Sequence, residues 1–480
     1  MRRFRIALET ARALGASYAD IRVVTRRDEN IVVKNGKVDA LESSEESGFG
    51  VRALVNGRWG FASSSKLDDE EIEKTAELAV RIARASARAK TEDVTLSPVD
   101  AICDSYKTSY DIDPFTVSID EKIELLMDAE RLMRGKKGIR VSTATMGFRR
   151  EEKIFLSSDG AEIAQEIVES GAGISAVAAD ANDIQERSYP GGFGGDFAAK
   201  GYEFVKSLDL AGHAEEIAQQ AIDLLDAPQC PSTTTDLILG SNQLALQIHE
   251  SCGHPSELDR VFGTEASYAG TSFLTPEKQG TFRYGSPEVT IVADATVPGG
   301  LGTFGYDDEG VPAQRTELVK KGIFINYLTS RETAGRVNQR SNGCMRADGW
   351  NRMPIIRMTN INLMPGDWTL DEIIRDTKDG IFMDTNKSWS IDDKRLNFQF
   401  GTEIAWEIKN GEMGRMLKNA TYTGITPEFW RSCDAIANED FWHLWGLPSC
   451  GKGEPLQIAH VGHGASPARF RRVRVGVGRW

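Results

Sequence analysis

The sequence predicts an α+β protein of two domains: an N-terminal α/β domain with hairpins and helices over residues 1–228, and a C-terminal, mostly antiparallel β domain over residues 232–480. Three observations carry this reading. The chain has 480 residues, more than one hydrophobic core usually holds. Helical and strand periods alternate in the first half, whereas strand alternation dominates the second. Between them, Asp226-Ala227-Pro228-Gln229-Cys230-Pro231-Ser232-Thr233 breaks both periods with two prolines and small polar residues, as linkers do.

The elements follow in order. Residues 4–14 have helical spacing, and β-prone runs follow, separated by Asn35-Gly36 and Asn56-Gly57. Such pairs suit type I′ turns, which need positive φ at both central residues, so two hairpins are expected. From Asp68 to about Ala89 the pattern is an Ala-rich amphipathic helix, acidic at its start and carrying Arg81, Arg84 and Arg88 towards its end, in accord with the helix dipole. A helix over Asp120 to Arg134 precedes a second β-rich stretch that turns at Asp159-Gly160, and the Gly-rich loop Pro190–Gly195 leads to a helix from Ala211 to Leu225. That loop lacks GK[ST] and does not match GxGxxG, so it reads as a plain loop and not a phosphate cradle. Beyond the linker come a strand at Asp236 to Leu239, a short helix from Asn242, and β alternation with turn signals at Lys321-Gly322, Asp379-Gly380 and Asn410-Gly411. Val473, Val475 and Val477 alternate with Arg472 and Arg474 in a half-buried final strand.

Composition narrows the function. Asp and Glu outnumber Lys and Arg by 71 to 57, a formal charge of −14 that argues against nucleic acid or anionic lipid as partners. Apolar residues make up 40% and charged residues 27%, as in an ordinary globular protein. Glu9 and Arg12 interrupt any apolar signal region near the N-terminus, and no run approaches the roughly 20 apolar residues that cross a bilayer, so a cytoplasmic location is expected. The six cysteines form no CxxC pair and are expected to be thiols or metal ligands, not disulfides.

The chemistry concentrates in His249-Glu250-Ser251-Cys252-Gly253-His254, an H-E-x-x-x-H pattern. With six histidines in the chain, such a coincidence has a chance of roughly 1%. Histidines four apart lie about 40° apart on a helix, whereas five apart they lie about 140° apart, so a continuous α-helix cannot chelate with this pair. Gly253 and Pro255 are expected to end the helix near Cys252 in a left-handed turn that returns His254 towards His249. Glu250 would then stand beside a metal as a base. Catalytic zinc takes three protein ligands and keeps a fourth position for water. Cys252, Glu257 and the distant Cys450, in the turn-like Ser449–Pro455, are candidates for the third.

At this point the sequence resembles the TldD/PmbA family of metallopeptidases. The likeness rests on the H-E-x-x-x-H pattern after a short helix, Gly305–Pro312 (GYDDEGVP), Pro354–Asn360 (PIIRMTN) and Cys450-Gly451-Lys452-Gly453. Gly50-Val51-Arg52 and Trp59-Gly60-Phe61-Ala62 extend it to the first domain. The TldD-type subunit of that family carries the zinc motif and the PmbA (TldE) type lacks it; this chain resembles the former. The resemblance implies that His249, His254 and Cys450 bind one Zn2+, that Glu250 is the catalytic carboxylate, and that the substrate is an unfolded or leader peptide. It also implies a dimer, with itself or with a PmbA/TldE-type subunit. Glu454 stands where Gln is common and Trp389 replaces a small residue, which bears on specificity. A zinc hydrolase of small amino-acid-linked metabolites and a non-catalytic peptide-binding subunit are the rival readings.

Other groups are weaker. His460 and His463 form H-x-x-H in a β-like tail without an adjacent base. Asp307-Asp308-Glu309 cannot all face one cation from a strand, and such charge runs are ordinarily solvated. Trp389, Trp430, Trp442 and Trp445 are read first as core or subunit packing.

Overall fold

A computed structural model describes residues 1–88, 92–268 and 270–476. The predicted turns set the N-terminal architecture. After helix α1 (Arg5–Ala13), strands β1 (Tyr18–Lys34), β2 (Lys37–Val55) and β3 (Arg58–Ser64) form two antiparallel hairpins. Their turns place Asn35-Gly36 at φ 48° and 78°, and Asn56-Gly57 at 49° and 70°, as type I′ geometry requires. Helix α2 (Asp69–Ser86) begins where Asp68 accepts the Glu71 amide, and it buries Ile72, Ala76, Ala79, Val80 and Ala83 with α1 against the hairpins. Strand β4 (Cys103–Lys107), helix α3 (Ile119–Arg134) and the long hairpin β5 (Ile139–Ser157) and β6 (Glu162–Ala179) follow. Then come β7 (Ile184–Tyr189), β8 (Asp196–Ala198) and helix α4 (Leu210–Asp226). The sheet runs β3-β2-β1-β5-β6, with β4, β7 and β8 along the far side of β6. Helices α3 and α4 cover it through Leu126, Met133, Ile217 and Ala221.

The C-terminal half opens with β9 (Thr233–Leu239) and helix α5 (Ser241–Ile248). Later strands β10 (Asp379–Ile391), β11 (Asn397–Lys409), β12 (Thr421–Ile425), β13 (His443–Lys452), β14 (Gln457–Ala465) and β15 (Ala468–Gly476) complete its frame. β9 pairs with β10 and β15, β15 with β12, β12 with β11, and β11 with β10, so five strands close on themselves. Every one of those pairs is antiparallel except β9 with β10. Leu244 and Ile248 of α5 pack into a core with Phe400, Tyr422, Phe429, Trp430 and Phe470.

Two local expectations change. Asp379-Gly380 starts β10 and is no turn: a Cβ on Gly380 would meet Thr377 Cγ2 at 2.7 Å, so this glycine permits close packing. Asp307, Asp308 and Glu309 are buried at 1–2% exposure, not solvated. Asp307 accepts the amides of Glu309, Val311 and Met345, while Asp308 meets Lys153 at 2.8 Å and Arg22 at 3.3 Å, and Glu309 meets Arg52 at 3.4 Å. The run thus ties the C-terminal half to the N-terminal sheet. Val473 and Val475 are buried as expected, and Val477 lies outside the described residues. Among the described residues, no helix is long and apolar enough to cross a membrane.

Candidate metal centre

The helix carrying the motif does not end where the sequence suggests. After α5 the backbone widens into a π-helical turn over His249–Gly253 and tightens into a 3₁₀ turn over His254–Ser256. Gly253 has φ −57°, so no left-handed turn is used. Pro255 has no N–H to give Ser251 O, and the Tyr284 hydroxyl donates to that carbonyl instead at 2.9 Å. A Cβ on Gly253 would lie 2.2 Å from Met358 Sδ, which excludes a larger residue. In a π turn the bond runs from residue i+5 to residue i, and here the His254 amide donates to His249 O. A five-residue spacing therefore brings the two imidazoles together edge to face, with centroids 4.8 Å apart.

The third member arrives from the other end of the chain. Cys450 lies on β13, not in a turn, just past a register shift between Leu447 and Cys450 that re-aims the strand's side chains. Ligand atoms of His249, His254 and Cys450 all lie within 4.8 Å of one another, with Cys450 Sγ 3.9 Å from His254 Nε2. All three residues are buried. Cys252 is not part of this cluster, and burial pushes its thiol up to about 12. Glu257 lies outside the cluster too: its Oε2 is 3.0 Å from His254 Nδ1.

The surrounding groups fix which atoms are free. Glu257 accepts from His254 Nδ1–H, leaving the Nε2 lone pair for the cluster. His463 Nδ1 donates to Ile361 O at 3.3 Å, so its Nε2 accepts from His249 Nδ1–H at 2.7 Å, and His249 Nε2 is free in turn. Such outer partners orient metal-binding imidazoles. Burial holds His249 neutral, lowering its pKa to about 4, and holds His254 well below the ordinary histidine value. Burial raises the Cys450 thiol, but Arg357, 3.2 Å from Sγ, and His254 outweigh it and leave the thiol below its usual value. Two neutral imidazoles and a thiol primed to ionise, converging on one point, fit a zinc ion in its usual nitrogen and sulfur ligation. Glu250 is 5% exposed and pairs with Arg395.

Sequence reasoning missed several of these partners. His463 and His460 do not form a site together: three residues apart on β14 they face opposite ways, and His460 bonds Glu169 at 2.6 Å. Arg357 and Lys452 lie within flagged motifs but had no assigned role; Lys452 is fully buried between Asp259 at 2.7 Å and Glu257 at 3.4 Å. Nothing in the sequence marks Arg395. Trp430 is core, whereas Trp389 is 49% exposed and packs edge-on against Phe193.

Comparisons with known proteins place the chain in a family. The PmbA/TldA metallopeptidase C-terminal domain model matches residues 232–476, domain 1 matches residues 19–83 and the central domain matches residues 112–225. A metalloprotease of Methanocaldococcus jannaschii is 35% identical over 93% of this chain and 94% of its own. A zinc metalloprotease TldD homolog of Saccharolobus solfataricus is 23% identical over 98% of each chain. The solved structure of TldE from Thermococcus kodakarensis shares the fold, with a TM-score of 0.77 and 18% identity, covering 98% of this chain and 100% of that one. The chain belongs to the PmbA/TldD family of metallopeptidases.

Proposed function

We propose that the chain is a TldD-type, metal-bearing zinc peptidase that hydrolyses peptide bonds of unfolded or leader peptides, with one Zn2+ per chain held by His249, His254 and Cys450. The observation that carries this is the convergence of three ligand atoms beside Glu250, with the second nitrogen of each imidazole already engaged. A bound zinc would supply Lewis acidity, bringing the pKa of its water to roughly 7 and polarising the scissile carbonyl. Glu250 accepts the proton of the attacking water and returns it to the leaving amine. Arg357 favours the thiolate form of Cys450, and Glu257 and His463 hold the imidazoles in register. Ligands this buried are beyond the reach of a peptide bond in a folded domain, which favours extended chains as substrates.

The same reading divides the chain at residues 228–232, places it in the cytoplasm, and makes it a dimer with itself or with a PmbA/TldE-type subunit. The test is mass spectrometry of an unstructured peptide pool incubated with the purified chain, as prepared, chelated and zinc-restored. Cleavage lost on chelation and regained with zinc is expected. Zinc uptake without peptide cleavage, but with turnover of small amino-acid amides, would overturn the peptide assignment.

A further inference from the structure

We propose that Arg395 stabilises the oxyanion formed when water adds to the scissile carbonyl, an assignment that rests on the peptidase reading above. Arg395 lies in the turn between β10 and β11, on an element that supplies none of the candidate ligands. Its Nη1 donates to Glu250 Oε2, and its side chain is only 16% exposed. Its Nε–H is buried and has no hydrogen-bond partner. A buried donor without an acceptor is costly, and on a cation beside a hydrolytic centre it is ready to receive an anion that forms only during reaction.

The backbone pins this side chain. Arg395 has φ +62°, a left-handed conformation that a non-glycine residue keeps only when its surroundings impose it. Its amide donates to Asp392 O at 2.8 Å, and Thr426 Oγ1 donates to its carbonyl at 2.9 Å. The amides of Thr271 and Phe273 donate to the carbonyls of Asp393 and Lys394, both at 3.0 Å. A cross-braced turn thus holds this guanidinium against Glu250.

The chemistry balances on this chain's own groups. A lone pair of the water oxygen bonds to the carbonyl carbon, the C=O π pair moves to the carbonyl oxygen, and Glu250 takes the water's proton. The charge that appears is on that oxygen, where a fixed, already desolvated donor is most effective. When the adduct collapses, the C=O bond re-forms, the C–N bond breaks, and the proton on Glu250 passes to the nitrogen. Arg395 engages only Oε2 of Glu250, leaving Oε1 for the proton.

The test uses Arg395→Gly in the full zinc-loaded chain, because glycine adopts positive φ without strain and preserves the turn. We expect kcat for peptide cleavage to fall on the order of 100-fold with KM changed by less than about threefold. Zinc content should be unchanged. Affinity for a phosphinic peptide, a tetrahedral anionic mimic, should fall by the same factor as kcat/KM, and added ethylguanidinium should restore part of both. R395G cleaving at nearly the wild-type rate, or losing rate while keeping phosphinic-peptide affinity, overturns the assignment. A wild-type chain that, with zinc, neither cleaves peptides nor binds the phosphinic peptide overturns the peptidase reading and this assignment with it.

Discussion

Two buried polar clusters in this chain are built on opposite principles. The Asp307–Glu309 run meets its counter-charges within the chain: burial raises the Asp308 carboxyl, but Lys153 and Arg22 more than cancel that and leave it below the ordinary carboxylate range. The His249, His254 and Cys450 cluster instead brings its ligand atoms to a common point, with His463 and Glu257 engaging the imidazoles at their outward nitrogens. The first cluster draws its cations from the N-terminal sheet and joins two halves of the molecule, with burial and the Glu309 charge pushing the Asp307 carboxyl up to about 8; the second is arranged to receive something. Burial alone therefore does not identify a functional site. What does is polar capacity left unspent.

Substitutions should separate the two clusters. The largest effect is expected for Glu250→Gln, which should lower kcat by roughly 10²–10⁴ while zinc stays bound, as measured by steady-state kinetics and metal analysis. Asp308→Ala leaves two buried cations short of a partner, and should cost about 3–5 kcal/mol of stability in denaturant unfolding with zinc per folded chain unchanged. His463→Ala removes an outer partner of His249 and should weaken zinc binding roughly 10–100-fold in competition titrations, with little loss of stability in the metal-free chain. Equal effects of these last two on zinc affinity would erase the contrast.

The pH dependence has a definite sign. Burial lowers the pKa of folded His249 to about 4, against an ordinary histidine value of about 6.5, so the unfolded chain takes up a proton that the folded chain refuses. Its contribution to stability is complete above pH 6.5 and is lost as the pH falls towards 4. Thermal melts of the metal-free protein should show Tm declining across that window, and Asp308→Ala should leave this His249-linked part of the decline in place while His249→Ala removes it.

How much was legible in the sequence follows from the range of the interactions involved. Asn35-Gly36 and Asn56-Gly57 could be read directly, because their φ requirement is local. The H-E-x-x-x-H pattern pointed to two histidines that the structure does bring together, but for an incorrect local reason. An α-helix disfavours that spacing, and the π turn that permits it depends on Tyr284 and Met358, which come from distant segments. Asp379-Gly380 misled because glycine serves close packing as well as turns. Arg395, Arg357 and His463 reach the site only through tertiary contacts, and no spacing rule links them to it.

X-ray absorption at the zinc edge, on the chain loaded with stoichiometric zinc, tests the central claim most directly. The account predicts one zinc per chain with two nitrogen neighbours at roughly 2.0–2.1 Å, one sulfur at about 2.3 Å and one light-atom neighbour, the sulfur vanishing in Cys450→Ser. A shell without sulfur, or one that Cys450→Ser leaves unaltered, would contradict it.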